Sequence, residues 1–289
     1  VGEIFSDVTN PGRKKPFDIR AVMTTVLDRD VQPLERWPEL AGGETAVVFH
    51  GQLGGQPVCM IGIESMPVQR KGNSPTHGPS SWTSGTLYPD SSRKVARAIH
   101  AASGVQPVVV LANLSGFDGS PESLRNRQLE FGAEIGRAVV QFDGPIIFCV
   151  ISRYHGGAYV VFSQCLNDRL ESVALEGTFA SVIGGGPAAA VVFPRVVRKR
   201  VDADNRVIEA RAKLKEGALQ PLEFDRIRRA VHAEIQSAVA TEFDNIHTVQ
   251  RARDVGSLTD ILSPKTLRHP LCERTHTAVD DFLAQKQNA

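Results

Sequence analysis

The sequence predicts an α/β fold with parallel strands joined by helical crossovers, on two observations. The first is a pair of apolar runs, residues 107–113 and 145–150, rich in Val and Ile and of the length of strands buried on both faces. Each leads into a turn bearing glycines, Gly116 and Gly119 after the first and Gly156 and Gly157 after the second. The second observation is the helical pattern after each turn, which writes the unit of strand, turn and helix twice, at 107–142 and 145–175. Such alternation argues for right-handed crossovers, and ligands on these sheets sit at the carboxyl ends of the strands, where both glycine turns fall.

Taken in order, residues 11–16 read as a loop, 17–27 as a short helix and 28–43 as a connector interrupted by Pro33, Pro38 and Gly42-Gly43. Residues 46–51 and 57–64 are strands of a hairpin marked by Gly54-Gly55. Residues 65–87, rich in Gly, Ser, Pro and Thr, form a long loop in which His77 reads as a solvated side chain. Asp90 or Ser91 caps a helix running to about Ser103, with Val95, Ala98, Ile99 and Ala102 on one face. The helix over 121–142 turns Leu124, Ile135 and Val139 inward, and residues 188–193 read as a third short strand. A charged helix follows over 195–216, with Val201, Val207 and Ile208 its few apolar positions. A break at 217–222 precedes an amphipathic helix over 223–253, whose stripe runs through Phe224, Ile227, Val231, Ile235, Val239, Phe243 and Ile246. The two arms make a helical hairpin, and a short helix near 277–285 closes the chain. The expected division is an N-terminal extension over 1–44, a core over 45–195, and the hairpin with C-terminal helices over 196–289.

Composition narrows the function. Lys and Arg number 33 against 32 Asp and Glu, a formal charge of +1, so no global field draws the chain to nucleic acid or to a membrane. Cys59, Cys149, Cys165 and Cys272 are scattered with no C-x-x-C pair, which reads as reduced packing thiols and not as a disulfide frame or zinc site; no metal site is expected. No apolar run approaches the roughly 18 residues of a membrane span and no secretory pattern opens the chain, so a cytoplasmic protein is expected. The start at Val1 without an initiator methionine suggests a segment of something longer, or a missing start. Dinucleotide and P-loop glycine patterns are absent. Residues 184–187 read as a turn, and the basic run 195–200 as a solvated helix start.

The chemistry therefore rests on the glycine turns. Gly156 and Gly157 suit a tight turn with no ligand, and equally a site where positive φ lets a ligand approach and N–H groups face a negative oxygen. Order and spacing separate these readings. Residues 111–119, then Pro145-Ile146-Ile147, then Gly156-Gly157-Ala158-Tyr159-Val160-Val161 resemble the biotin-dependent carboxyltransferase family. The likeness is greatest to the C-terminal half of the carboxyltransferase domain of single-chain acetyl-CoA carboxylases. Residues 85–91, residues 191–195 and the charged hairpin agree with it, and it covers roughly residues 17–285.

The resemblance implies a crotonase-like ββα superhelix with a C-terminal helical hairpin. It implies that the chain faces the ureido ring of carboxybiotin while a separate N-terminal half holds the coenzyme A thioester. Amides around Gly156, Gly157 and Ala158 would form the oxyanion hole, Gly116, Phe117 and Gly119 the facing wall, and His155, Tyr159, Val160 and Arg153 would complete the substrate side. The biotin nitrogen can take the substrate proton, so no side-chain base is required. The family carries arginine where this chain has His155, a permanent fork-shaped cation replaced by a partly charged ring. Arg153 can substitute if the segment is extended, since alternation then keeps both side chains on one face. Val160 is compatible with a small or apolar acyl group. The implied activity is transfer of a carboxyl group from carboxybiotin to an acyl-CoA, acetyl-CoA giving malonyl-CoA, as in fatty acid biosynthesis. The implied partners are the N-terminal half, the biotin carboxyl carrier and biotin carboxylase domains, and a second copy in a homodimer or larger assembly. Alone the chain would hold half a site and be inactive. The alternatives are a biotin-independent crotonase-type acyl-CoA enzyme and a non-catalytic half kept for assembly.

Overall fold

The computed structural model describes residues 2–6, 8–13, 15–72 and 78–288, and His77 lies outside the described residues. The chain forms two compact units, residues 1–182 with 248–289 and residues 183–247. The larger is built on an eight-stranded sheet. Its strands are β1 (Leu34–Glu35), β2 (Ala46–Leu53), β3 (Gln56–Ile63), β4 (Val108–Leu114), β5 (Ile146–Tyr154), β6 (Leu170–Leu175), β7 (Phe179–Ala180) and β8 (Asp260–Leu262). They lie in the order β1-β2-β3-β4-β5-β6-β8, with β7 paired to the end of β5. β1 to β3 are antiparallel and every pairing from β3 onward is parallel. The hairpin and the parallel pair of the two apolar runs thus form as the sequence predicts.

Period-two alternation divides the sheet between two apolar layers. Val110, Ala112, Phe148 and Val150 join one cluster beneath two helices, α2 (Pro89–Ala102) and the later Gln128–Val140, through Val95, Ile99, Ile135 and Val139. Val109, Leu111, Ile147, Cys149 and Ile151 join the other, beneath α1 (Ile19–Val26) and Leu271 near the C-terminus. Cys59 and Cys149 are free thiols whose burial pushes their pKa up to about 12. Cys165, by contrast, is exposed.

Ser91 takes part in the start of α2 differently from a simple cap: its Oγ accepts from Tyr88 N–H at 2.7 Å, as the third residue of a capping box. The helix expected over 121–142 divides into α3 (Pro121–Arg125) and α4 (Gln128–Val140), because Arg127 turns left-handed at φ 65°. This leaves Leu124 exposed while Ile135 and Val139 are buried. The second repeat of strand, turn and helix is also altered. α5 (Ala158–Val161) is one turn long, and the expected helix continues instead as strand β6 beside β5. Leu170 and Val173 fit a helical spacing, but sheet pairing determines the outcome.

Of residues 188–193, expected as a third strand, Ala188–Val192 are helical in the smaller unit. Gly184 precedes that helical stretch, Pro187 fits its first turn, and the run of alanines favours helix. The charged arm divides at Ala203 into α6 (Pro194–Asp202) and α7 (Asn205–Lys215), with Val201 and Val207 buried and Ile208 half exposed. The amphipathic arm is α8 (Pro221–Ile246), packed through Val231 and Val239. It stops at His247, short of the expected boundary, and α9 (Val249–Asp254) belongs to the larger unit. The closing helix is longer than expected, α10 (Arg268–Gln287), with Pro270 accommodated in its first turn. Among the described residues no helix is long and apolar enough to cross a membrane.

Phe148 is fully buried, stacked 4.9 Å from Phe162 and 4.7 Å from Tyr154. Truncation, Phe148→Ala, is expected to cost about 3–5 kcal/mol in urea unfolding; a cost below about 1 kcal/mol would contradict this packing. Lys94 is 2% exposed and its Nζ reaches only the Gly43 carbonyl, at 3.5 Å, among the described residues. Burial lowers its pKa from 10.5 to about 8, with Glu35 and Glu44 opposing the shift. The unfolded chain therefore binds more protons than the folded one between these values, and this group's contribution to stability rises with pH across that window. Lys94→Met should flatten the rise, seen by comparing unfolding free energies at about pH 7 and about pH 10; equal pH slopes in both proteins would refute it.

Candidate active site

The central strands β4 and β5 end side by side, and their pairing slips between Ala112 and Leu114. His155 N–H donates to the Leu114 carbonyl at 2.9 Å, carrying the contact past the end of β5 into the glycine turn. Gly116 has φ 136° and Gly156 φ 66°. A Cβ on Gly156 would lie 3.2 Å from the Gly116 Cα and 3.6 Å from the Ser115 carbonyl oxygen. The two turns thus meet backbone to backbone, and here the absence of side chains is a steric requirement.

Gly157 precedes α5 and is exposed, while Ala158 is its buried first residue. A Cβ on Gly157 would stand 2.5 Å from the Phe117 ring, and one on Gly132 of α4 would stand 3.0 Å from the same ring. Phe117 is therefore held between two glycines on different elements. Gly156 N–H donates to the Val182 carbonyl at 2.9 Å, so of the three expected amides it is already engaged. Among the described residues, the N–H groups of Gly157 and Ala158 donate to no protein acceptor. Two adjacent amides at the start of a helical turn can bind a developing negative oxygen; with only four residues in α5, the helix dipole adds little.

The other expected residues divide. Gly116 and Phe117 join the turn, but Gly119 is open to solvent, with nothing within 4 Å of the place its Cβ would occupy. Tyr159 is a fastening: its Oη donates to Ser257 Oγ at 2.7 Å, and its carbonyl accepts from Tyr154 Oη at 3.2 Å. Val160 is 60% exposed. His155 is 3% exposed, and its Nδ1 lies 3.2 Å from the Ser181 carbonyl oxygen and 3.1 Å from Ser181 Oγ. A carbonyl only accepts, so this contact suits the tautomer with hydrogen on Nδ1. Arg153, still within β5, lies 6.0 Å from the Phe179 ring centroid and lines a polar pocket that His155 does not reach. The chain turns at residue 155, and the two side chains do not share the face that continued extension would give them.

Val182, Ser181 and Gly132 escape a sequence reading. Val182 acts through its carbonyl, which carries no residue-type signal, and Gly132 lies inside a helical pattern where a lone glycine has no distinctive meaning.

The turn, with two N–H groups unengaged among the described residues, lies at the carboxyl edge of the parallel strands, and the comparisons with known proteins give the family. The carboxyl transferase domain model matches residues 4–281, and the chain belongs to that family. It is 30% identical over 192 residues to the acetyl-CoA carboxylase of Saccharomyces cerevisiae, and 28% identical over 186 residues to an acetyl-CoA carboxylase of Cryptosporiopsis sp.. These matches cover 61% and 56% of the chain, and the chain spans 8% of the length of each relative. A solved transcarboxylase 12S structure, a hexamer with methylmalonyl-coenzyme A and methylmalonic acid bound, superposes with a TM-score of 0.66 at 21% identity. That superposition covers 96% of this chain and 44% of the other. The likeness shows a shared fold, and the crotonase-like α/β expectation holds.

The wedge of Phe117 between Gly132 and Gly157 makes a prediction. Gly157→Ala should destabilise the chain by about 1–3 kcal/mol, and by much less in a Phe117→Ala background. A double-mutant cycle in urea with no coupling would show that the ring does not clamp the turn.

Proposed function

We propose that the chain is the biotin-facing half of a carboxyltransferase that moves a carboxyl group from carboxybiotin to an acyl-CoA, acetyl-CoA giving malonyl-CoA. The observation that carries this reading is the pair of unengaged amides, Gly157 and Ala158, on a turn kept free of side chains by Gly116 and Gly156. The acetyl-CoA carboxylases among its relatives support the acyl group, and its span of less than half the transcarboxylase chain supports the half-domain role. Carboxybiotin, when bound, supplies the carboxyl group and gathers negative charge on its ureido oxygen. The residues present fit that group: among the described residues the N–H groups of Gly157 and Ala158 have no protein acceptor, and Gly156 and Gly157 bring no side chain to the turn.

The chain's own part is then to bind and to stabilise. Fixed N–H dipoles at Gly157 and Ala158 need no reorganisation as charge develops, which is where such donors contribute about 3–4 kcal/mol each. Phe117 holds Gly157 in position, and the Val182 carbonyl holds Gly156. His155, tied to Ser181, positions the turn, and Arg153 is the cation offered to a substrate carboxylate. The coenzyme A thioester, the N-terminal half, the carrier and biotin carboxylase domains and a second copy are the partners of this reading, in the cytoplasm.

Ala158→Pro removes the Ala158 N–H, and because Gly157 sits at φ −59°, ψ −26°, a conformation disfavoured before proline, retained folding is part of the test. In the complete carboxylase assembly, transfer from malonyl-CoA to a biotin derivative should fall by roughly 10²–10³ with acyl-CoA binding and circular dichroism unchanged. Wild-type turnover in that variant would leave the turn structural. Residues 1–289 alone should show negligible transfer, and robust turnover by them would overturn the half-site reading.

A further inference from the structure

A cavity of about 420 Å³ opens between α2 and α4 and shares no residue with the glycine turns. Its carboxylates are already engaged. Asp90 pairs with Arg93 at 3.0 Å, Glu130 with Arg127 at 3.8 Å, and Glu134 with Arg137 and with His100 Nε2 at 3.4 Å. Two cations of the lining, Lys94 and Arg97, have no such partner. Arg97 has no carboxylate within 4 Å among the described residues; its guanidinium lies over the Trp37 ring, 4.7 Å from the centroid, and Arg36 lies over the same ring at 5.1 Å. Lys94 is 2% exposed, and its three ammonium protons find one acceptor, the Gly43 carbonyl at the long distance of 3.5 Å. A charge buried to that degree without a counter-ion is costly, and an anion beside it relieves the cost.

The rest of the wall is apolar. Phe131 and Leu40 are half-buried there, and Ala96 is buried. The Phe131 ring also carries the Arg93 guanidinium, 5.0 Å from its centroid, so the ring is fixed from the α2 side. An apolar wall with a few charged groups left over is the pattern of a small-molecule site, in which the body of the ligand contributes contact area and the charges set its orientation.

We propose that this groove binds a small organic anion with an apolar body, its charged end held by Lys94 and Arg97 and its body laid against Phe131 and Leu40. The inference stands apart from the carboxyl-transfer reading. Ammonium and guanidinium groups hold carboxylate and phosphate alike, so the side chains define the class and not the source. Lys94 adds a signature of its own. Burial lowers its pKa to about 8; Glu35 and Glu44 oppose that shift, and Arg20 and Lys71 add to it. A bound anion favours the protonated amine, so binding near that pH takes up a proton, and affinity falls as the pH rises above it.

Calorimetric titration of the full chain with naphthoate and, separately, with naphthyl phosphate tests the groove, with acetate and neutral naphthamide as controls that each lack one feature. Saturable binding of an aryl anion is expected, at least roughly tenfold tighter than either control, with proton uptake when buffers of different ionisation enthalpy are compared at about pH 8. Arg97→Gln, at an exposed position, should weaken the anion by roughly tenfold with circular dichroism unchanged, and Phe131→Ala should weaken it several-fold. Lys94→Met should abolish the proton uptake, and the Arg97 variant keeps the test valid if Lys94→Met does not fold. Tighter naphthoate identifies a carboxylate groove, and tighter naphthyl phosphate a phosphate groove; either supports the proposal. Absence of saturable binding to the folded wild type, equal affinity in wild type and Arg97→Gln, naphthamide bound as tightly as the anions, or binding without proton uptake overturns it. Because neither biotin nor acyl-CoA is present, failure here leaves the amide turn standing, and failure of Ala158→Pro to affect transfer leaves the groove standing.

Discussion

Everything at the candidate site depends on the parallel pairing of Val108–Leu114 with Ile146–Tyr154. Both strands are buried on both faces, so slipping either by one residue would exchange the two apolar layers and misplace every side chain. Held in that register, their carboxyl ends place Gly116 and Gly156 in contact. The glycines fit because the strands leave no room for anything larger. Positive φ and close approach coincide at Gly156, and the consequence is a turn whose next two amides remain unengaged.

The surroundings of that turn are all restraints. Val182 takes the Gly156 amide, Ser181 takes the His155 ring, Ser257 takes the Tyr159 hydroxyl, and Phe117 fills the space between Gly132 and Gly157. A site that stabilises charge with backbone dipoles needs this rigidity, since a donor free to rotate loses energy in reorienting as charge forms. Under the proposed reading the working groups of the turn are main-chain N–H groups, so the chemistry calls for no paired carboxylates and no nucleophile there.

The groove between α2 and α4 works by different physics. Where the turn offers neutral dipoles, the groove offers formal charge from Lys94 and Arg97, which acts at longer range and, at the exposed Arg97, is screened by salt. One helix serves both features: Gly132 of α4 makes room for the Phe117 ring, and Phe131 beside it lines the groove.

The sequence by itself determined the two buried parallel strands, the hairpin before them, the two helical arms that follow residue 194 and the glycines at the strand ends. These are local: apolar runs of strand length, glycines at strand ends and a three-to-four-residue stripe are written in contiguous residues. Tertiary structure decided what depends on distant partners. Residues 170–175 became a strand because β5 offered an edge, and 188–192 became helix, as their alanines prefer. Gly156 lost its amide to Val182, and Arg97 came to lie over the Trp37 ring. No residue type announces a carbonyl acceptor or a charge supplied from elsewhere in the chain, because folding alone brings those groups together.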